Sequence, residues 1–351
     1  MRVLAQPAFK DRNDNPYTWL LYSHMASLGV DVDEFSPRRL LQNNYLIWHR
    51  HWPERNLNDT NVLRAIAKTQ ALLLLMKRVR LQRVKIVWSV HNLTAHERLY
   101  PHLEAWFWKA FIRQLDGYIS LSKSSMAAAQ QRFPELRNLP GFVIPHGHYR
   151  AEYPADISPQ TARALLGIPP AAKVLLFFGK IRPYKNAPEL IKAFRQFPDP
   201  NTRLYVVGSP EFPTLAEAIE KEAALDRRVQ IYLDFIPKDK AQIYFHAADM
   251  VILPYSEILN SGSALLALSF NRPILVPLRG SLAELQSQVG EEWVRTYAGE
   301  ITSLQIEAAL KWALNTPRPA QAPLGAFDWK ELAHRTIDAY HAIATRKENR
   351  L

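Results

Sequence analysis

The sequence predicts an α/β protein made of two Rossmann-like domains, each a parallel sheet with helices on both faces. Three observations lead there. Short apolar, β-branched runs alternate with segments of helical periodicity along most of the chain. A Pro-rich polar stretch from Tyr153 to Pro170 interrupts that alternation, which then restarts with "KVLLFFG". And 351 residues are too many for one ordinary core but fit two domains of usual size.

Taken in order, "MRVLAQP" reads as a first strand. "NPYTWLLYSHMASLGVDVDEFSP" reads as a loop, a helix closed near Gly29 and a second strand. "YLIWHRHWPE" supplies a strand and its loop, and Val62 to Arg83 a long helix. "VKIVWSVHN" is a buried strand leading into "HNLTAHE", and "DGYISLS" and "GFVIPHGHY" are further short strands. After the interruption come "KVLLFFG", "TRLYVVG", "VQIYLDF", "DMVILPY" and "RPILVPL", each followed by a helix or loop. A second Pro-rich stretch, Thr316 to Pro323, precedes a terminal helix in "DWKELAHRTIDAYHAIATR". The expected division is residues 1–150 as an N-terminal, acceptor-side domain, 151–172 as linker, 173–316 as a donor-binding domain, and 317–351 as a Pro-rich crossover with the last helix.

Composition narrows the function classes. A net charge of +11 calls for an anionic partner: nucleic acid, a phospholipid surface or a phosphorylated substrate. The absence of cysteine rules out disulfides and thiolate metal sites and suits a reducing cytoplasm. No signal peptide and no run of roughly 18 to 20 apolar residues is present, so the expected location is cytoplasmic. The histidines lack the close helical spacing of motifs such as H-E-x-x-H, so no metal is expected. No zinc finger, RRM or basic zipper signature accompanies the charge, which argues against nucleic acid.

"FGKIRPYKN" places Gly179, Lys180, Arg182 and Lys185 between a buried strand and a helix start. A strand-end loop before a helix N-terminus suits an anion, and three cations with a glycine suit a diphosphate. The competing reading is a solvated basic turn. "NSGSALLALSF" is a second such segment: Asn260, Ser261, Gly262 and Ser263 open an apolar helix, so backbone N–H groups and hydroxyls can meet a phosphate. An ordinary N-cap is the competing reading for Ser261. Gly208 and Tyr255, at the ends of "TRLYVVG" and "DMVILPY", complete the expected donor set.

The order "NPY", "HWPE", "HNLTAHE", "HGHY", "FGKIRPYKN", "LPYSEILNSGSALLALSFNRPILVP" and "DW" resembles glycosyltransferases of the GT-B fold, and within them the β-mannosyltransferases of xanthan-type exopolysaccharide assembly. The resemblance runs from about Asn15 to Trp329. It implies a nucleotide sugar, GDP-mannose, bound on the C-terminal domain, with Lys180 and Lys185 on its diphosphate and Arg182 beside them. It implies a lipid-linked (polyprenyl-diphosphate) oligosaccharide acceptor and transfer without a metal. Many retaining members carry two glutamates in the second segment; here Glu257 is present, but Leu265 and Leu266 stand where the second would fall, and inversion fits the resemblance better. An inverting transfer needs a base. Glu97 is the first candidate and His96 the second, while His91 either shares that role or hydrogen-bonds the donor sugar. Capping of the next helix is the competing role for Glu97. His51, Glu54, His146 and His148, on other strand-end loops, are candidates for acceptor contacts.

Basic and aromatic segments suggest how a lipid acceptor is reached. Lys77, Arg78, Arg80, Arg83 and Lys85 follow an apolar run, and Trp106, Phe107, Trp108 and Phe111 gather with Lys109 and Arg113. Such mixtures settle at anionic headgroups, so peripheral association with the inner face of the plasma membrane is expected, the competing reading being a core helix with a solvated basic end. Two alternatives remain: a retaining enzyme of the same fold using another nucleotide sugar, and a non-catalytic sugar-nucleotide-binding or scaffold subunit.

Overall fold

The computed structural model describes residues 1–346 except 11, 14, 43 and 96–98. The chain divides into two compact units, residues 1–147 with 327–351 and residues 148–326.

The first unit contains β1 (Arg2–Gln6), α1 (Tyr17–Ser27), β2 (Asp31–Glu34), α2 (Pro37–Gln42), β3 (Ile47–His51), α3 (Val62–Leu81), β4 (Lys85–Val90), α4 (Pro101–Ile112), β5 (Gly117–Ser120), α5 (Lys123–Arg132) and β6 (Gly141–Val143). Its sheet runs β2-β1-β3-β4-β5-β6, every pair parallel. Central strands bury both faces, which is why β3 and β4 read as continuous buried runs rather than alternating ones. In β3 that burial extends to His49, Arg50 and His51, three side chains that need partners inside. Asn61 accepts from the N–H groups of Leu63 and Arg64 to start α3.

In the second unit, α6 (Pro159–Leu165) precedes β7 (Lys173–Phe178), α7 (Ala187–Arg195), β8 (Thr202–Val207), α8 (Pro213–Ala223), β9 (Val229–Tyr232), α9 (Lys238–Ala247), β10 (Met250–Ile252), α10 (Gly262–Ser269), β11 (Ile274–Pro277), α11 (Gly280–Val289), β12 (Val294–Tyr297) and α12 (Ser303–Asn315). The sheet order is β12-β11-β10-β7-β8-β9, again parallel throughout. The chain therefore leaves β7 toward one edge through β8 and β9, then returns to the other side of β7 at β10. That reversal between β7 and β10 is the topological switch point, where open α/β sheets take their ligands.

The last helix, α13 (Trp329–Thr345), returns to the first unit and packs on α1. Asp328 caps it by accepting from Lys330 and Glu331, and its buried face carries Trp329, Leu332, Thr336, Tyr340 and Ile343.

Three expectations change. The stretch expected as linker contains α6, started by Ser158 and pinned where Arg163 makes two 2.9 Å contacts to the Asp249 carboxylate. A sixth strand, β12, was not anticipated; it is short, and its two middle residues are only half-buried. In α4 the aromatic residues Phe107, Trp108 and Phe111 form core with Trp88 and Phe133, because they recur on the face turned to the sheet. Only Trp106, 46% exposed, is left for a surface role.

Candidate functional site

In the second unit, the residues expected to hold an oxyanion assemble at the switch point. Gly179 follows β7 and Gly208 follows β8, with φ values of 115° and 138° that only glycine adopts readily. A side chain on Gly208 would overlap the backbone of Gly179, so these glycines let two strand ends touch. The chain then makes a short 3-10 turn, Pro183–Lys185, and enters α7 through left-handed Asn186. This turn folds Lys185 inward to 8% exposure. Its Nζ lies 3.4 Å from Ser263 Oγ and 5.5 Å from the centre of the Tyr255 ring, and it would lie 3.7 Å from a Cβ on Gly179.

Burial pushes the Lys185 ammonium down to about 7, aided by repulsion from Arg182 and Lys180 and opposed by Glu211. Among the described residues no carboxylate forms an ion pair with it. Arg182 is instead held by Glu211 at 3.1 Å, and Lys180 is exposed. Of the three cations expected to act alike, one is buried, one braced and one solvated.

Ser261 accepts from Ala264 N at 3.1 Å and is the N-cap of α10, the structural role that competed with phosphate binding. Gly262 and Ser263 form the first turn, whose N–H groups carry the positive end of the helix dipole. Among the described residues, both amide atoms of Asn260 are buried without a hydrogen-bond partner, and the buried Tyr255 hydroxyl sits beside Ser261 and Ser263 without closing a hydrogen bond. Each such group costs about 1–3 kcal/mol. An oxyanion between β7 and β10 would give Lys185, Ser263 and the α10 N–H groups the acceptors they need. Leu265 is core, so no carboxylate stands at its position, and Glu257 is exposed.

In the first unit, the short motifs converge on one ring. Tyr17, from "NPY", lies 5.8 Å from His51 of "HWPE", 4.9 Å from His91 of "HNLTAHE", 4.8 Å from His146 of "HGHY" and 5.4 Å from Trp329 of "DW". Gly147 makes this possible, because a Cβ there would overlap the Trp329 indole. A chain of hydrogen bonds runs behind Tyr17. His91 Nε2 meets His51 Nδ1 at 2.9 Å, His51 Nε2 meets Tyr22 Oη at 2.6 Å, and Tyr22 Oη meets His49 Nδ1 at 2.8 Å. His49 ends the chain on Tyr340 Oη at 2.5 Å and Ser89 Oγ at 2.9 Å. Burial holds all of these imidazoles neutral: His49 is lowered to about 3, His146 to about 4, and His51 and His91 lie well below the ordinary histidine range.

His51 and Glu54, expected as acceptor contacts, are 1% and 2% exposed. Both His51 nitrogens are engaged inside the unit, so a direct contact from that ring does not fit. Glu54 Oε1 accepts from Asn92 at 2.6 Å, Oε2 has no hydrogen-bond partner among the described residues, and burial raises its carboxyl to about 7. Arg50, on the opposite face of β3 from His49 and His51, is lowered to about 9 by burial, with no hydrogen-bond partner for Nε and Nη1 among the described residues. His146 joins the Tyr17 cluster, but His148 falls in the second unit, where its Nδ1 accepts from Arg150 N at 3.4 Å. His96 and Glu97 lie outside the described residues. Tyr17, Tyr22, Ser89, Trp52, Asn92 and Tyr340 were given no role from sequence. The available signal was "HRH", whose period of two puts His49 and His51 on one face of a strand.

Among the described residues, no group of three histidine, aspartate or glutamate side chains could hold a metal ion, and no helix is long and apolar enough to cross a membrane.

The family model described as "Glycosyl transferases group 1" matches residues 160–276, which lie in the second unit and include both loops of the switch point. A GDP-mannose:glycolipid 4-beta-D-mannosyltransferase of Xanthomonas campestris pv. campestris is 31% identical over 338 residues, covering 96% of this chain and 91% of that protein. Among solved structures, sucrose-phosphate synthase from Thermosynechococcus elongatus aligns with a TM-score of 0.64 at 15% identity, over 98% of this chain and 96% of that one. Anabaena Alr3699/HepE in complex with UDP-glucose aligns with a TM-score of 0.64 at 16% identity, over 98% of both chains.

Proposed function

The chain belongs to the glycosyl transferases of group 1, and from that premise we propose that it moves mannose from GDP-mannose to a lipid-linked (polyprenyl-diphosphate) oligosaccharide in exopolysaccharide biosynthesis, inverting the anomeric centre. It is a hexosyltransferase of GT-B architecture. The observation that carries the reading is the convergence of Lys185, Ser263 and the α10 N-terminus at the switch point of the second unit. The identity with the mannosyltransferase along nearly the whole chain supports the donor and the glycolipid acceptor.

In the reaction, an acceptor hydroxyl oxygen bonds to the anomeric carbon of mannose as the bond from that carbon to the β-phosphate oxygen breaks. The electron pair leaves with GDP, and the hydroxyl proton passes to a base. Charge grows on the departing diphosphate. Lys185 and the α10 N–H groups oppose it from fixed positions, so they favour the transition state over the bound donor. Arg182, held by Glu211, and Lys180 act at longer range. These cationic groups supply the charge compensation, and the reading assigns no metal cofactor. The base is drawn from the loop after β4: Glu97 first, His96 next, with His91 beside the reacting sugar. The missing carboxylate at Leu265 supports inversion over the retaining alternative.

The acceptor's lipid supports a peripheral membrane location. Exposed Leu63, Leu74 and Leu81 on α3 and Trp106 on the adjoining α4 stand among exposed Lys77, Arg78, Lys109 and Arg113, a face that suits anionic headgroups.

Purified protein offered a panel of nucleotide sugars with a polyprenyl-diphosphate oligosaccharide tests the function. Mannosyl transfer from GDP-mannose with release of GDP is expected, and turnover of a different donor alone would refute the donor assignment. Lys77→Glu together with Arg78→Glu should abolish sedimentation with anionic vesicles; unchanged sedimentation would remove this face from the membrane.

A further inference from the structure

Burying two imidazoles of a file of three is costly unless their hydrogen bonds serve a purpose. His49 and His51 are 0% and 1% exposed, and both nitrogens of each ring are used. His91 differs. It is only half-buried, one nitrogen is taken by His51, and Nδ1 has no hydrogen-bond partner among the described residues. Its ring is fixed on two further sides. Trp52 stacks on it at 4.3 Å and 22°, and Tyr17 meets it edge-on at 4.9 Å and 88°.

We propose that His51, backed by Tyr22 and His49, is a positioning residue for His91: it holds the Nε2 edge inward, so that Nδ1 is the edge His91 presents to substrate. The inference rests on the functional reading that places His91 beside the reacting sugar.

Proton counting gives the device its consequence. The contact between His51 Nδ1 and His91 Nε2 accommodates one proton. If His51 donates it, then His51 Nε2 accepts from Tyr22, and His91 carries its own proton on Nδ1, ready to donate to a sugar hydroxyl. If His91 donates it, then His51 Nε2–H points at Tyr22 Oη, and His91 Nδ1 bears a lone pair. The tautomer at the substrate edge is thus chosen by where Tyr22, shared between His51 and His49, places its hydroxyl proton. No net charge is needed for either arrangement, in keeping with a site whose burial and mutual repulsion disfavour imidazolium. A carboxylate or carbonyl in the place of His51 would lock one tautomer, whereas a histidine backed by a tyrosine permits both.

Four variants test it: His51→Leu, which removes both bonds; His51→Asn, whose amide falls near the former Nδ1; His51→Gln, as its control; and Tyr22→Phe, which cuts the chain behind His51. Two readouts are used. Nitrogen-15 NMR of labelled histidine reports the His91 tautomer without any turnover, and steady-state kinetics with GDP-mannose separate kcat from KM. We expect kcat to fall about tenfold to a hundredfold in His51→Leu with the donor KM unchanged, as misplacement of a group at the reacting centre does. His51→Asn should recover much of that loss, and His51→Gln, which puts its amide toward Tyr22 instead, should not. Tyr22→Phe should shift the His91 nitrogen signals. Wild-type kcat in a folded His51→Leu, or unaltered His91 signals in both His51→Leu and Tyr22→Phe, would overturn the proposal. Should the wild-type protein transfer no sugar at all, the functional reading fails on its own, and the NMR signature still decides whether His51 governs His91.

Discussion

Lys185 should make donor binding depend on pH in a calculable way. Only its protonated form attracts a diphosphate, and burial lowers it from an ordinary lysine value to about 7. At pH 7 about half the ligand-free molecules therefore carry the charge, and at pH 8.5 about one in thirty. A bound diphosphate restores the ammonium and raises its pKa, so binding takes up a proton. Affinity should be level below about pH 6 and then weaken roughly tenfold per pH unit above 7, about thirtyfold by pH 8.5, until the pKa of the complex is reached. Isothermal calorimetry with a nucleotide sugar measures this directly, since a sugar-diphosphate diester has no ionisation of its own across that range. Repeating it in buffers of different ionisation enthalpy should reveal uptake of about half a proton at pH 7. Lys185→Met, which keeps the buried stem, should bind weakly at every pH and match the wild type at the alkaline end, with no loss of thermal stability. Affinity that stays level from pH 6 to 8.5, or a Lys185→Met variant that keeps the pH dependence, would refute the reasoning.

Glu54, whose carboxyl is raised to about 7, favours the folded state while protonated and opposes it once ionised, so stability falls as pH rises from its unfolded value through 7. Glu54→Gln should melt with the wild type near pH 4 and above it at pH 8, by up to about 3 kcal/mol in unfolding free energy. Ser261→Ala should cost about 1 kcal/mol as a lost N-cap, whereas Ser263→Ala should weaken nucleotide-sugar binding with little change in melting; equal effects from the two would contradict their assigned roles. Gly147→Ala drives a methyl into the Trp329 indole and should lower the melting temperature while leaving nucleotide affinity in the second unit unchanged, as thermal scans and calorimetry would report.

The sheet was legible because its strands announce themselves: "KVLLFFG" and "VKIVWSV" are buried on both faces and bounded by loops rich in glycine, proline or charge. The two loops at the switch point were legible as strand-to-helix junctions for a related reason, since glycine, hydroxyls and cations at such a junction form a local pattern. What failed was whatever depends on rotation of one helix or on a partner distant in sequence. "EAWFWKAFIRQ" has the composition of an interfacial segment, yet the turn of α4 sends Phe107, Trp108 and Phe111 to the core. Lys180, Arg182 and Lys185 look equivalent in the sequence, but a left-handed Asn186 and a salt bridge to Glu211 give them three different environments. His51 looked like a loop residue, and its true partner Tyr22 lies 29 positions away. Tyr340 is 291 positions from His49, a pairing that no local pattern encodes.

The return of α13 to the first unit has a consequence for biosynthesis. A ribosome delivers the chain in order, so residues 148–326 emerge as one continuous segment and can reach their final form while synthesis proceeds. The segment made first must wait. Until Trp329 and Tyr340 are translated, α1 lacks the helix that covers it, and Tyr17 and His49 lack two of their neighbours. The earlier half is therefore the later to mature, and a released chain truncated before residue 329 should hold a folded second unit and an incomplete first one.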